Sequence, residues 1–294
     1  MILRQLYILL ISFFLINVSN AQFEFTDIGA RAVGMNGAFT SISDNSLAIF
    51  YNPSGLGQMK YREFSVFYSP APFGLTELST SALTYAEPFK FGTLGIGIKN
   101  YGFDLYHEIG ISLSYGGNYK KKMFYGLNLN YYNLKIKDDY NAGNSASSVA
   151  VDAGLMAYIT KYLRWGFFGK NISGSTIGIS KEKIAQVYRT GFSFAPKENL
   201  NFVLEAEKDV RYPVSIRAGM EYCPVDYVDV RAGVGSEPTT FTFGIGFSYN
   251  LFQLDYALYN SPDLGLTHQG TFTVNFGGIK GKKENRQLME KAFE

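Results

Sequence analysis

Six ionisable residues recur at even spacing on three successive segments: Glu205 and Glu207, Arg217 and Glu221, then Asp229 and Arg231. In an extended chain alternate side chains share a face, so each pair points to one side of its strand. Opposite charges on neighbouring strands can pair across the ladder. Arg164, Lys170, Arg189 and Asp255 fall on the same face and extend the mixed lining. Such a wall has two uses. Its charges either neutralise one another and the upstream Arg31 and Asp44, or they line a polar, gated path. Buried charges demand partners of this kind.

Other chemistry finds no support in the residue types. His107 and His268 are the only histidines and Cys223 the only cysteine, which excludes a disulfide framework and a zinc site. No Ser/His/Asp spacing can be built on either histidine, so no catalytic residues and no enzyme are expected. Asp138-Asp139 lies beside Lys135 and Lys137 and reads as solvated loop charge. Gly95-Ile96-Gly97 lacks the following helix of a dinucleotide site, so no cofactor is expected either.

The elements that must position the charges follow from composition and period. The chain has 294 residues, a formal net charge of +2, 18% charged residues and 16% aromatics, with 25 Phe and 22 Tyr against one Trp. Near-neutrality argues against nucleic acid as a partner. Residues 1–21 read as a cleavable signal peptide. Arg4 precedes a mostly apolar core from Leu6 to Val18, and Ser19-Asn20-Ala21 forms the cleavage site. Beyond it no apolar run is long enough for a membrane helix.

From about Arg62 onward, residues 62–278 alternate. In Thr240 to Leu251, Thr, Gly, Ser and Asn occupy one face while Phe241, Phe243, Ile245, Phe247, Tyr249 and Leu251 occupy the other. Fourteen such segments centre near residues 66, 83, 96, 112, 128, 154, 167, 191, 204, 218, 231, 245, 256 and 273. They leave about 15 to 16 residues for each strand and connection, enough for a tilted strand to span a bilayer. A soluble sheet also alternates, but its exposed face would carry more Lys and Glu. Aromatics near segment ends, such as Tyr131, Tyr222, Tyr249 and Phe276, suit an interfacial girdle. The expected fold is an all-β, 14-stranded antiparallel transmembrane β-barrel in a bacterial outer membrane, in contact with its lipid and lipopolysaccharide.

Connections sort into two kinds. Short ones are expected around Glu87-Pro88, Gly116-Gly117-Asn118, Thr160-Lys161, Pro196-Lys197-Glu198, Cys223 to Asp226 and Asn250-Leu251. Longer ones include Lys135 to Ser148 and Asn171 to Gln186. Short turns and both termini would face the periplasm. Residues 279–294 form a charged periplasmic tail in which Leu288, Met289, Ala292 and Phe293 make one narrow helical face for a partner.

Residues 22–61 do not alternate. The stretch Gly29-Ala30-Arg31-Ala32-Val33-Gly34-Met35-Asn36-Gly37-Ala38-Phe39 is rich in small residues. Asp44-Asn45-Ser46 offers helix caps before Leu47 to Phe50, and Asn52-Pro53-Ser54-Gly55 reads as a tight turn. We expect this segment to be a plug inside the lumen. Lumen-facing glycines at 95, 97, 110, 126, 191, 219, 233, 244 and 246 would let its backbone approach the wall.

These residues, with Leu56, resemble the N-terminal hatch of the FadL-like outer-membrane proteins, and look closest to the PorV/PorQ branch associated with type IX secretion. The plug positions that carry the resemblance are Gly29, Arg31, Gly34, Gly37, Asp44, Asn52 and Pro53. Ser54 departs from the family's usual Ala, and Asn36 from a frequent Gly. The resemblance implies one of two roles. The first, preferred because of the short chain and charged lumen, is an accessory or scaffold of type IX secretion, with secretion-system proteins and cargo as partners. The second is a FadL-like transporter for diffusion of long-chain fatty acids or other hydrophobic small molecules. A charged wall argues against a continuous apolar tunnel, so the barrel is expected to be closed by its plug at rest.

Overall fold

The computed structural model describes residue 23, residues 27–137 and residues 143–294. The expected signal peptide and the Asp138-Asp139 pair lie outside these residues. Strands follow in chain order as β1 (Glu63–Ser69), β2 (Thr80–Phe89), β3 (Gly92–Gly102), β4 (Tyr106–Tyr119), β5 (Met123–Lys137), β6 (Gly143–Tyr158), β7 (Leu163–Lys170), β8 (Thr176–Ile177) and β9 (Glu182–Lys183). They continue as β10 (Val187–Lys197), β11 (Leu200–Asp209), β12 (Ser215–Val225), β13 (Val228–Ser236), β14 (Thr239–Tyr249), β15 (Phe252–Ser261) and β16 (Gly265–Asn275). Fourteen form a closed antiparallel barrel in which β1 meets β16, with Val66 opposite Phe272; β8 and β9 form a separate two-stranded ribbon. Every expected segment centre falls inside a barrel strand.

The alternation is inside-out relative to a soluble sheet. On β14, Phe241, Phe243 and Phe247 are exposed while Thr240 and Thr242 are buried. The same holds on β5, where Leu127 and Leu129 face out and Asn128 and Asn130 face in. An apolar band around the whole barrel is what lipid solvates and water does not. The buried interior is instead built around residues 27–59, which fill the lumen: Ile28, Met35, Phe39, Ile42, Leu47, Ile49, Tyr51 and Leu56 are all buried.

Several expected connections are displaced. Glu87-Pro88 and Gly116-Gly117-Asn118 lie within strands, and the turns fall later, at residues 90–91 and 120–122. Lys120 and Lys121 take left-handed φ values of 52° and 56°, so the cations, rather than the glycines, make the second turn. Lys135 to Ser148 is mostly strand, because Asn133 bonds the Ser145 and Ser147 hydroxyls across β5 and β6 and carries the ladder outward. Asn171 to Gln186 is indeed a long connection, and it contains the β8–β9 ribbon.

Phe23, the first described residue, and the C-terminal tail do not share one side of the barrel. The tail lies at the short-turn end, as expected. Phe23, however, packs on Tyr132, Leu134, Ile177 and Ile184, close to the long loops. The described plug residues therefore reach from Phe23 at the long-loop mouth to Gln58 beside Tyr158 at the short-turn mouth.

Candidate functional site

The plug is held by close approach and by charge. Six of the nine expected lumen glycines face it: an added Cβ would meet Ile49 at Gly95 and Gly97, Pro53 and Ser54 at Gly126, Met35 at Gly219 and Gly233, and Gly34 at Gly244. Gly110, Gly191 and Gly246 instead make room for the neighbouring side chains Tyr132, Glu205 and Asp255. Within the plug, Gly29 (φ 97°) and Gly37 (φ 70°) sit in the left-handed region that L side chains avoid. Asn36 shares that conformation at φ 58°, which Asn tolerates, and donates Nδ2 to Thr240 Oγ1 at 2.8 Å.

Local structure in the plug differs in one respect from expectation. Residues 44–46 do not cap the short helix Ala48–Tyr51, which has no side-chain cap. Asp44 is drawn to Arg31 instead, and the Ser46 hydroxyl bonds Ser65 and Thr84 of the wall. Asn52 does cap the following 3₁₀ turn, Pro53–Gln58, accepting from Ser54 N. Its Nδ2 donates to Thr40 O at 2.9 Å and to Leu155 O at 3.1 Å, tying plug to wall.

The charged residues form two networks. Toward the short turns, Arg31 Nε donates to Glu221 Oε2 at 2.8 Å, and Arg231 Nε donates to the same oxygen at 2.7 Å. Arg231 also reaches Asp255 at 2.6 Å and Asp229 at 3.3 Å. Asp229 then accepts from Lys282 and, at 2.9 Å, from Arg286. Toward the long loops, Arg217 bridges Asp27 at 2.7 Å and Glu207 at 2.9 Å. Arg189, almost wholly buried, pairs with Glu207, Glu205 and Asp27, and Glu205 accepts from Thr40 N at 2.8 Å. In the ladder Glu221 lies opposite Arg231, whereas Glu205 lies opposite Arg217 but ion-pairs with Arg189.

The tail closes the short-turn mouth. Helices Gly278–Arg286 and Leu288–Lys291 lie across it. Met289 is buried with Phe124, Met156 and Tyr158, flanked by Leu288 and Ala292. The narrow apolar face expected to meet a partner is thus taken up largely by the barrel itself, through Phe124, Met156 and Tyr158. Phe293 packs beneath the Lys122 ammonium at 4.1 Å. A polar cavity of about 90 Å³ is left between plug and tail, lined by both Arg31 and Arg286.

The opposite mouth holds the larger space. A cavity of about 640 Å³ lies above the plug at the long-loop end. Phe67, Pro72, Phe73, Tyr101, Tyr259 and Pro238 supply its apolar wall, and Asp27, Glu207 and Arg217 its polar floor. The ribbon connection packs on the wall at this end, with Ile177 and Ile184 buried on Tyr132 and Leu134. Of this lining the sequence singles out Glu207 and Arg217, but not Asp27, Ser69, Phe73 or the apolar wall. Only the even spacing of Phe67 and Ser69 on β1 was available as a sign, and period two shows a face without showing what stands opposite it.

No protein-family model and no curated protein sequence matches the chain. Solved structures do match. CymD, a monoaromatic hydrocarbon channel, superposes with a TM-score of 0.65 at 12% identity, over 87% of this chain and 99% of that one. The toluene transporter TodX of P. putida superposes with a TM-score of 0.65 at 11% identity, over 86% and 99%. A Pseudomonas aeruginosa FadL homologue gives 0.60 at 10% identity, over 86% and 99%. Identities this low establish the fold alone: a closed 14-stranded antiparallel barrel with an N-terminal segment in its lumen.

Proposed function

We propose that the protein is an outer-membrane channel that admits hydrophobic small molecules from the outer face and is closed at rest by its plug. The observation that carries this reading is the cavity of about 640 Å³ at the long-loop mouth, aromatic-walled and floored by the plug. Its size is that of a pocket for a drug-sized ligand, roughly 300–1,000 Å³. The exposed apolar band suits a barrel standing in lipid, and an outer leaflet of lipopolysaccharide is the barrier such a channel overcomes. Short turns and the tail then face the periplasm. Neighbours named for monoaromatic hydrocarbons and toluene support this choice over long-chain fatty acids. The paired charges below the cavity leave no straight apolar tunnel, so passage requires the plug to shift.

The alternative, a PorV/PorQ-type secretion accessory, rests on the hatch residues and on nothing in the fold comparison. Uptake of a fluorescent naphthylamine, by cells with and without the protein in a lipopolysaccharide-bearing membrane, tests the channel reading. Faster uptake with the protein is expected. Equal uptake, together with stoichiometric secretion components co-purifying after gentle extraction, would place it with the secretion accessories.

A further inference from the structure

The long-loop cavity is not uniformly apolar, and its polar groups are unevenly satisfied. Arg217 is committed to Asp27 and Glu207, and Arg211 to Asp209 through Nε at 2.9 Å. Glu237 adds a further carboxylate at the rim. Four carboxylates therefore face the cavity against two guanidinium groups, a formal excess of two negative charges. Both guanidinium groups already hold carboxylates. An anion entering here meets like charge in a partly desolvated space, where repulsion is stronger than in water.

Ser69, at the top of β1, lines the same cavity and is only 3% exposed, yet its hydroxyl has no hydrogen-bond partner among the described residues. A buried hydroxyl without a partner costs free energy comparable to a lost hydrogen bond. Nearby Thr267 is already engaged, accepting from Phe73 N at 3.0 Å. Ser69 sits two residues from Phe67, so an aromatic body against the wall leaves a substituent in its reach.

We propose that this cavity selects uncharged hydrophobic molecules bearing one hydrogen-bonding group, such as a hydroxyl, which is received by Ser69, and that it turns carboxylates away. The inference rests on the channel reading and narrows its substrate class. It also gives the charged floor a purpose beyond holding the plug, since the same carboxylates filter what arrives.

Three probes of one skeleton separate the claims: naphthalene, 1-naphthol and 1-naphthoate, titrated into the full-length protein in amphipol. Naphthol is expected to bind about five-fold tighter than naphthalene, the worth of one net neutral hydrogen bond. Naphthoate is expected to bind weakest. Ser69→Ala should bring naphthol down to the naphthalene affinity and leave naphthalene unchanged, with heat-modifiable gel mobility confirming the fold. Glu237→Lys, on the exposed turn, should strengthen naphthoate selectively. If naphthoate binds as tightly as naphthol, the exclusion of anions is wrong. If Ser69→Ala lowers neither affinity, or lowers both alike, the role of the hydroxyl is wrong. Should naphthalene itself fail to bind, the channel reading falls and this inference with it.

Discussion

Arg31 of the plug and Arg231 of the wall share one carboxylate oxygen, Glu221 Oε2, at 2.8 and 2.7 Å. Two cations converge on one acceptor because each has a second anion: Asp44 for Arg31 and Asp255 for Arg231. The chain of pairs continues through Asp229 to Lys282 and Arg286. Plug, wall and tail are thereby joined in one network of four cations and four anions.

Glu221→Ala removes the shared acceptor and leaves two guanidinium groups facing each other. Breaking a buried pair by deleting one partner costs about 3–5 kcal/mol. We expect a lower urea midpoint in lipid vesicles and frequent current steps in planar bilayers. The wild-type protein should show no large, steady conductance. An unchanged midpoint together with silent bilayers would show that the network does not hold the plug.

Gly233→Ala tests close approach without touching a charge. The new Cβ would collide with the Met35 and Asn36 backbone, while the ladder to β12 and β14 stays intact. The barrel should still migrate as a folded band, but the plug should become cleavable by trypsin at Arg31. Gly270→Ala, where the nearest atom is 4.0 Å away, serves as the silent control.

Removal of residues 279–294 should open the short-turn mouth without unfolding the barrel. Met289→Asp should act alike, since burying an apolar side chain of this size is worth about 1.5–3 kcal/mol. In a Cys223→Ser background, a thiol introduced by Met156→Cys should react with a water-soluble maleimide only when the tail is absent or carries the aspartate. Equal labelling with the tail in place would mean that Met289 does not seal the socket.

Asp27 makes plug docking pH-dependent. Burial alone would raise its carboxyl, but the Arg217 and Arg189 guanidinium groups outweigh that and hold it below its usual range. A carboxylate depressed in the folded state contributes stability that is present above its unfolded pKa, about 4, and is lost as pH falls through the folded value. Protease resistance of the plug should therefore be flat from neutral pH down to about pH 4 and decline below it, as far as this group decides it. Asp27→Asn should weaken docking at neutral pH and flatten the decline.

Much of this architecture was legible in the residues. Period two makes each strand a local property of about ten residues, so fourteen segments, their inner and outer faces, and the lumen location of Glu205, Arg217, Glu221 and Arg231 could be read one strand at a time. The small residues of the plug and six of the nine glycines opposite them were likewise visible as compositions suited to close packing of plug on wall. Partner choice was not visible. That Glu205 turns to Arg189 rather than to Arg217 across the ladder depends on where the plug brings Asp27. That Met289 fills a socket of Phe124, Met156 and Tyr158 depends on barrel closure, which joins β5 and β6 with residues more than a hundred positions away. The long-loop cavity belongs to the same class, since an empty space is bounded by segments that share no sequence pattern. Periodicity decides which way a side chain faces; only the closed barrel decides what it faces.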